Sequence, residues 1–143
     1  MDDSLYFNEQ HLAVREMVRA LARDEVAPIA AQYDESQDFP WATVKRMGEL
    51  GLLGIPWDES LGGSGFDLIA YVIAIEEMAK VCASHAITIS AHTTLGTSPI
   101  VHFGTVAQKE KYVPLLASGR CSAVSASPSR RRAAMPAPRR PRR

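Results

Sequence analysis

The stretch that decides the fold runs from Asp67 to Gly119 and reads DLIAYVIAIEEMAKVCASHAITISAHTTLGTSPIVHFGTVAQKEKYVPLLASG. Asp67 is a favoured helix N-cap. The apolar residues behind it recur at helical spacing and predict one buried stripe, formed by Leu68, Tyr71, Val72, Ile75 and Met78. The nearly uncharged segment from Ala86 to Leu95 is too short to span a bilayer, which takes about 20 apolar residues, so it predicts a helix buried in protein. Thr105 is placed to cap a third, more polar helix that ends near Gly119.

Working outward, the residues before this stretch also have helical periodicity. Asn8 is placed to cap a first helix, which should kink or end near Pro28 because proline has no amide hydrogen. Its apolar side is predicted to contain Leu12, Val14, Val18, Leu21 and Ala22, and its water-facing side Arg15, Arg19 and Arg23. A further helix is predicted to begin at Pro40 and to end at Gly51. Since no alternating run of strand length occurs, residues 1–120 are predicted to form an all-α domain.

The charge is distributed unevenly along the chain. The whole chain has 143 residues, 46% of them hydrophobic, which suffices for one domain with a core. Residues 1–120 contain 9 basic and 16 acidic side chains, whereas residues 121–143 contain 7 arginines and no acid. The formal net charge of zero therefore hides an acidic domain and a basic tail that need separate explanations.

The cysteines and the N-terminus indicate the compartment. Cys82 and Cys121 have neither the spacing of a metal site nor that of a disulfide framework, which favours a reduced cytoplasmic chain. The acidic start MDDSLYF lacks the basic and apolar regions of a signal peptide. We therefore expect a cytoplasmic protein without a membrane segment.

The glycine-rich segment around Gly62, Gly63 and Gly65 admits two interpretations. Glycines there could cradle a phosphate, but the lysine of a P-loop and the glycine spacing of a dinucleotide fingerprint are missing. A tight turn between two helices is the better interpretation.

The titratable residues do not predict a catalytic or metal site. His85, His92 and His102 are seven and ten residues apart, unlike a ligand pair on one helix, so no metal is predicted. Adjacent residues on a helix point in different directions, so Glu76 and Glu77 are not an acid and base pair. We expect one to be solvated and the other to form an internal ion pair.

Hydroxyl side chains are frequent between Ser84 and Ser98. They could simply bond to carbonyls of their own helix. Alternatively, residues at positions i, i+3, i+4 and i+7 would form one face of a pocket, and those residues are Thr88, Ala91, His92 and Leu95.

Several segments of this chain resemble the N-terminal helical domain of the acyl-CoA dehydrogenases. In the family's order they are EVAPIAAQYD, MGELGLLGIP leading into LGGSGFD, IEEMAKVCAS followed by AHTTLGTSPI, and FGTVAQKEKYVPLLASG. The last is the most specific, and the resemblance covers nearly all of residues 1–120. It implies an enzyme with a middle β domain, a C-terminal helical bundle and a homotetrameric assembly.

The resemblance implies an oxidoreductase that uses FAD to convert an acyl-CoA thioester to a 2-enoyl-CoA. A glutamate of the C-terminal domain removes the proton from carbon two, and electron-transferring flavoprotein reoxidises the flavin. The acyl chain would lie beside Thr88, Ala91, His92 and Leu95. Because the base glutamate and the flavin-binding domains lie outside the matched residues, we expect this chain to be inactive alone. These residues do not distinguish a dehydrogenase from a related flavin oxidase or monooxygenase.

The resemblance stops at residue 121. The family continues with a flavin-binding motif like GAFGLTEPEAGSD, whereas this chain reads CSAVSASPSRRRAAMPAPRRPRR. With suitable synonymous codons, residues 121–139 read from the third base encode LGGFGLTEPEAGSDAGAT, which is the missing motif. We therefore interpret residues 121–143 as the product of a shifted reading frame and expect them to be disordered. The alternative is a non-catalytic helical module whose arginine-rich tail binds nucleic acid through phosphates.

Overall fold

A computed structural model describes residues 6–122, and every regular element in that range is helical. The seven α-helices are α1 Glu9–Leu21, α2 Ala27–Ser36, α3 Trp41–Glu49, α4 Leu68–Ala79, α5 Ala83–Ala91, α6 Ser98–Phe103 and α7 Val106–Ala117. A first π-turn, Ala22–Val26, joins α1 to α2, and a second π-turn, His92–Thr97, joins α5 to α6. A short 3-10 turn spans Glu59–Leu61. The all-α prediction is confirmed. Of the predicted tail, residues 121–143, all but Cys121 and Ser122 lie outside the described range.

The start of α1 follows from its capping residue, and the start of α2 follows from a proline in its first turn. Asn8 caps α1 by accepting from the backbone N–H of His11 at 2.9 Å, and the His11 ring in turn accepts from the Asn8 backbone at 3.2 Å. The predicted interruption near Pro28 occurs as the first π-turn, after which Pro28 lies in the opening turn of α2, where its missing N–H costs nothing. The prediction that Arg15 faces water is wrong, because its guanidinium lies over the Phe7 ring and beside Glu77 of α4.

The central helix α4 packs against α1 on one side and α5 on the other. Asp67 caps it as predicted, accepting from the backbone N–H of Ala70 at 2.9 Å. The predicted buried stripe is only partly correct, because Leu68 is 67% and Val72 58% exposed. Ala74 of α4 has no exposed surface and belongs to the core. The largest buried hydrophobic side chains of the whole core include Val18, Val26, Met47, Leu52, Leu53, Ile55, Met78 and Ile89.

Close backbone approaches join α3 to the end of α7. Gly51 ends α3 with a positive φ of 77°, as its predicted role requires. A β-carbon on Gly48 would lie 2.5 Å from the carbonyl oxygen of Ser118, so this position admits no larger side chain without movement. Thr105 caps α7 with a capping box to Gln108, and the helix ends at Ala117, as expected. Within residues 6–122, no helix is long and apolar enough to cross a bilayer.

Candidate functional site

The second π-turn lies in the middle of the hydroxyl-rich segment and changes its geometry. The hydroxyl of Thr97 donates to the carbonyl of His92, five residues earlier, at 3.0 Å. Pro99 follows in the first turn of α6 and has no N–H to return to the preceding turn. Residues beyond His92 therefore point in directions that an uninterrupted α-helix would not give them.

The four residues predicted to share one pocket face are divided between the two sides of the helix. Thr88 and His92 are buried, at 9% and 1% exposure. Ala91 is half-buried, and Leu95 is 78% exposed. The structure therefore brings Thr88 and His92 together on the inside and leaves Ala91 and Leu95 on the outside.

Thr88 bonds to its own helix. Its hydroxyl donates to the carbonyl of Ser84 at 2.8 Å, which is the ordinary alternative for a threonine in a helix. The residue also lines a groove of about 580 Å³ between α2 and the start of α5, next to Cys82 and His85. In that groove, the His85 ring contacts the Thr43 hydroxyl at 2.8 Å and the Cys82 sulfur at 3.1 Å. Burial lowers the pKa of His85 and favours its neutral ring.

His92 holds the π-turn against α7. Its Nε2 lies 2.9 Å from the carbonyl oxygen of Leu116, so Nε2 carries the hydrogen and donates. Burial lowers the pKa of His92, which favours the neutral ring. The ring also borders a cavity of about 800 Å³ beside Trp41 and Leu53. This arrangement suits a histidine that positions a helix.

An exposed apolar stripe on α5 and the second π-turn includes a residue that the sequence analysis missed. Ile87 is 65% exposed, and Ile87, Ala91 and Leu95 follow one another at intervals of four residues. The four-residue spacing of these apolar residues is visible in the sequence. Periodicity alone does not decide which of two overlapping helical faces packs against α7 and which stays exposed. We call these three residues the outer stripe.

The glycine-rich loop has no free amides for a phosphate. The N–H groups of Gly62 and Gly63 donate to the carbonyls of Glu59 and Asp58. Those of Ser64, Gly65 and Phe66 donate to carbonyls of the preceding loop, at Gly54, Trp57 and Ile55. Because a phosphate cradle needs amides that point at the anion, this loop is a packed turn. That outcome agrees with the interpretation favoured from the sequence.

The paired glutamates have the separate roles expected of them. Glu76 is 59% exposed, whereas Glu77 is 4% exposed and accepts from Arg19 at 2.9 and 3.1 Å and from Lys80 at 2.9 Å. Burial alone would raise the pKa of Glu77, but the hydrogen bonds from Arg19 and Lys80 hold it below its ordinary value. Among residues 6–122, no three His, Cys, Asp or Glu side chains are grouped as a metal site would require.

Comparison with known proteins gives a consistent set of relatives. The family described as acyl-CoA dehydrogenase, N-terminal domain, matches residues 8–120. The short-chain specific acyl-CoA dehydrogenase of Clostridium acetobutylicum is 50% identical over 111 residues, which cover 78% of this chain and 29% of that protein. The chain thus spans less than a third of that relative.

Two solved structures have a similar fold. A chain of the electron transferring flavoprotein structure from Acidaminococcus fermentans superimposes with a TM-score of 0.79 at 34% identity, over 85% of this chain and 32% of that one. The acyl-CoA dehydrogenase of Bacillus anthracis, complexed with FAD, gives a TM-score of 0.76 at 35% identity, over 82% of this chain and 20% of that one. Both likenesses agree with the family match over residues 8–120.

Proposed function

The chain belongs to the acyl-CoA dehydrogenase family, whose N-terminal domain it carries, and on this premise we propose that residues 8–120 form one wall of an acyl-binding pocket. The complete enzyme would oxidise an acyl-CoA thioester to a 2-enoyl-CoA with FAD and pass the electrons to electron-transferring flavoprotein. It would work as a homotetramer in a reducing cytoplasm, in keeping with the free thiols of Cys82 and Cys121.

The observation that carries this proposal is the outer stripe. Ile87, Ala91 and Leu95 present an uncharged hydrocarbon surface that the other described helices leave open. A fatty acyl chain laid along it would gain about 25 cal/mol for each Å² of apolar surface removed from water. Ala91 and Leu95 would contact the chain, while Thr88 and His92 would keep the helix in place through their bonds to Ser84 and Leu116.

The flavin does not fit the described residues as a complete site. The glycine-rich loop uses its amides internally, so the phosphates of FAD would have to be held by other residues. The outer stripe also holds no carboxylate that could act as a base, and Glu77 is buried and paired. We therefore propose that residues 8–120 shape the acyl pocket but neither hold FAD nor remove the substrate proton.

The assignment is tested by comparing two proteins from this gene. The 143-residue chain should show no flavin absorbance and no oxidation of butyryl-CoA or longer acyl-CoA substrates. A protein expressed after correction of the reading frame at the codon for Arg120 should show both. An active 143-residue chain, or a corrected protein that binds FAD but oxidises no acyl-CoA, would overturn the proposal.

The role of the outer stripe is tested in that corrected enzyme. Leu95→Trp should shift the preference toward shorter acyl chains, because the larger ring occupies space along the stripe. Val106→Trp is the matched control, since Val106 is 70% exposed but lies on α7. An unchanged chain-length profile in Leu95→Trp would show that the acyl chain lies elsewhere.

We also propose that residues 121–143 come from a shifted frame. The family match ends at residue 120. With suitable synonymous codons, the residues that follow would encode the family's flavin motif in another reading frame. Resequencing the DNA around the codon for Arg120 should show a small insertion or deletion. A DNA sequence whose shifted reading does not encode this motif would disprove the proposal.

A further inference from the structure

A thiol and an imidazole lie in contact along the groove of about 580 Å³ between α2 and the start of α5. The Sγ atom of Cys82 lies 3.1 Å from Nδ1 of His85. Cys82 is partly exposed and His85 is buried, and both residues line the groove. The proposed acyl contacts of the outer stripe involve neither residue. A nucleophile and a base are therefore in contact beside an open groove.

The hydrogen bonds around His85 allow only one position for the proton of its neutral ring. The hydroxyl of Thr43 donates its single hydrogen to the carbonyl of Pro40 at 3.1 Å. Its oxygen, 2.8 Å from Nε2 of His85, must therefore accept, and Nε2 carries the hydrogen. The other ring nitrogen, Nδ1, is then unprotonated and accepts from the thiol of Cys82. This is the orientation in which a histidine takes a proton from a nucleophile.

The N-terminus of α5 provides a favourable field for negative charge on the sulfur. Cys82 is the N-cap residue of this nine-residue helix, and no side chain caps it. The first amide N–H groups of a helix have no partner within it, and they stabilise an anion at its start. Ala83 and Ser84, which carry two of these amides, line the same groove. Reactive cysteines are found in such partly exposed, electropositive surroundings, whereas inert ones are buried.

The charged groups around the pair leave His85 as the base and disfavour anions. The other titratable residues that line the groove are Tyr33, Asp34 and Asp38. Both aspartates are exposed, so they oppose the approach of an anionic molecule. Lys80, two residues before Cys82, is paired with glutamates of α4. Burial lowers the pKa of His85, so its ring is neutral at neutral pH and stops acting as a base only as the pH falls through that lowered value.

We propose that Cys82 is a covalent modification site for small uncharged α,β-unsaturated carbonyl compounds, with His85 as its base. Counting from the carbonyl carbon, the sulfur forms a bond to carbon three, and the electrons of the double bond move to the carbonyl oxygen. Nδ1 of His85 takes the thiol proton and returns it to carbon two, which restores the carbonyl. This addition has no leaving group and needs no oxidant or reductant. The inference does not depend on the acyl-CoA assignment.

The test follows alkylation of the unsubstituted 143-residue chain by N-ethylmaleimide, an uncharged compound of this class. Cys121 is exposed and is the internal control in the same chain. Peptide mass spectrometry gives a rate for each cysteine between about pH 6.5 and about pH 8.5. A thiol without a base reacts as the thiolate, so the rate at Cys121 should rise about tenfold or more over this range. The rate at Cys82 should rise by less than about fivefold, because the neutral His85 ring assists throughout.

The same pH dependence at both cysteines, or no modification of Cys82 while Cys121 reacts, would overturn the proposal. Unfolding the chain in urea is a further control, because it separates the thiol of Cys82 from the ring of His85. The two cysteines should then show the same pH dependence. A difference between them that persists in urea would mean that the contact with His85 is not its cause, and the proposal would fail.

Variants of two histidines identify the base. His85→Gln should lower the rate at Cys82 by about tenfold or more at the acidic end of the range, because glutamine cannot take the thiol proton. His102→Gln replaces an exposed histidine outside the groove and should leave the rate unchanged. Equal rates at Cys82 in the two variants would show that His85 is not the base.

Thr43 supplies a second pair of variants, which decides the matter if His85→Gln does not fold. Thr43→Val removes the oxygen that accepts from Nε2 and should lower the rate at Cys82 by about two- to tenfold. Thr43→Ser keeps the hydroxyl and should preserve both the rate and its pH dependence. Equal rates in these two variants would contradict the proposed orientation of the His85 ring.

Discussion

The two sides of α4 differ in one buried charge and two exposed apolar side chains, each of which departs from the usual surface helix. The side toward α1 buries the charge of Glu77, at 4% exposure, whereas Leu68 and Val72 on the outer side are 67% and 58% exposed. A helix at the surface of a complete globule normally does the opposite. The difference teaches that the burial of a single side chain on α4 follows its available partners as well as its hydropathy.

The buried charge is tolerated because its hydrogen bonds are nearly complete. Arg19 donates through Nε and Nη2 to the two carboxylate oxygens of Glu77, at 2.9 and 3.1 Å, as a fork. Lys80 adds a third bond at 2.9 Å. The carboxylate thus connects α1 to α4, and its loss should cost more than any change on the outer side.

The largest expected effect is that of Glu77→Gln. Without the negative charge, Arg19 and Lys80 lose their common partner and the nearby Arg15 stays buried, so the unfolding free energy should fall by about 2–3 kcal/mol. Urea unfolding at neutral pH measures this. Glu76→Gln is the control, because its exposed pair with Lys80 is worth about 1 kcal/mol or less. Similar losses in both variants would remove the distinction between the two sides.

An intermediate effect is expected at Asp67, where α4 begins. Its bonds from the Ala70 backbone and the His11 ring lower its pKa in the folded state. The stability they contribute is therefore present above the unfolded pKa of about 3.9 and is lost as pH falls through the lower folded value. Asp67→Ala should cost about 1 kcal/mol at neutral pH, and Asp67→Asn less, because asparagine also caps helices.

Unfolding measured against pH checks both statements about Asp67. The difference in unfolding free energy between the unsubstituted chain and Asp67→Asn should begin to shrink below about pH 4, where Asp67 of the unfolded chain becomes protonated. It should stop changing once the pH is below the lower folded pKa of Asp67. If the difference in unfolding free energy stayed constant down to about pH 2, the ionisation of Asp67 would not contribute to stability.

The smallest effect on stability is expected on the outer side. Val72→Gln should change the unfolding free energy by no more than about 0.5 kcal/mol, because the side chain packs little within the domain. It should nevertheless reduce self-association, since it interrupts the apolar surface. Sedimentation velocity over a range of concentrations measures this, and unchanged association together with a large loss of stability would show that Val72 is a core residue.

The helix starts were the most predictable part of the fold, because caps depend on local chemistry. Asn8, Asp67 and Thr105 each cap the helix that their residue type indicated. The positive φ of Gly51 likewise follows from its place after α3. Such features need only a few neighbouring residues, so tertiary contacts do not change them.

The candidate site was less predictable, because helical periodicity assumes an uninterrupted helix. Periodicity also does not show which face of a helix points into the protein. The second π-turn changes the directions of the side chains after His92. The hydrogen bond from His92 to the carbonyl of Leu116 holds that ring inside the fold. Leu95 remained outside, and Ile87 joined it on the outer stripe. Whether an acyl chain lies along this stripe stays a prediction.

By itself, the sequence determined an all-helical domain, its caps and turns, and the family to which residues 8–120 belong, because these rest on local patterns and ordered motifs. Only the tertiary structure decided which side of each helix is covered. It buried Glu77 beside Arg19 and exposed Val72. The physical reason is that burial and hydrogen bonding depend on residues far away in the chain, which periodicity along one helix does not contain.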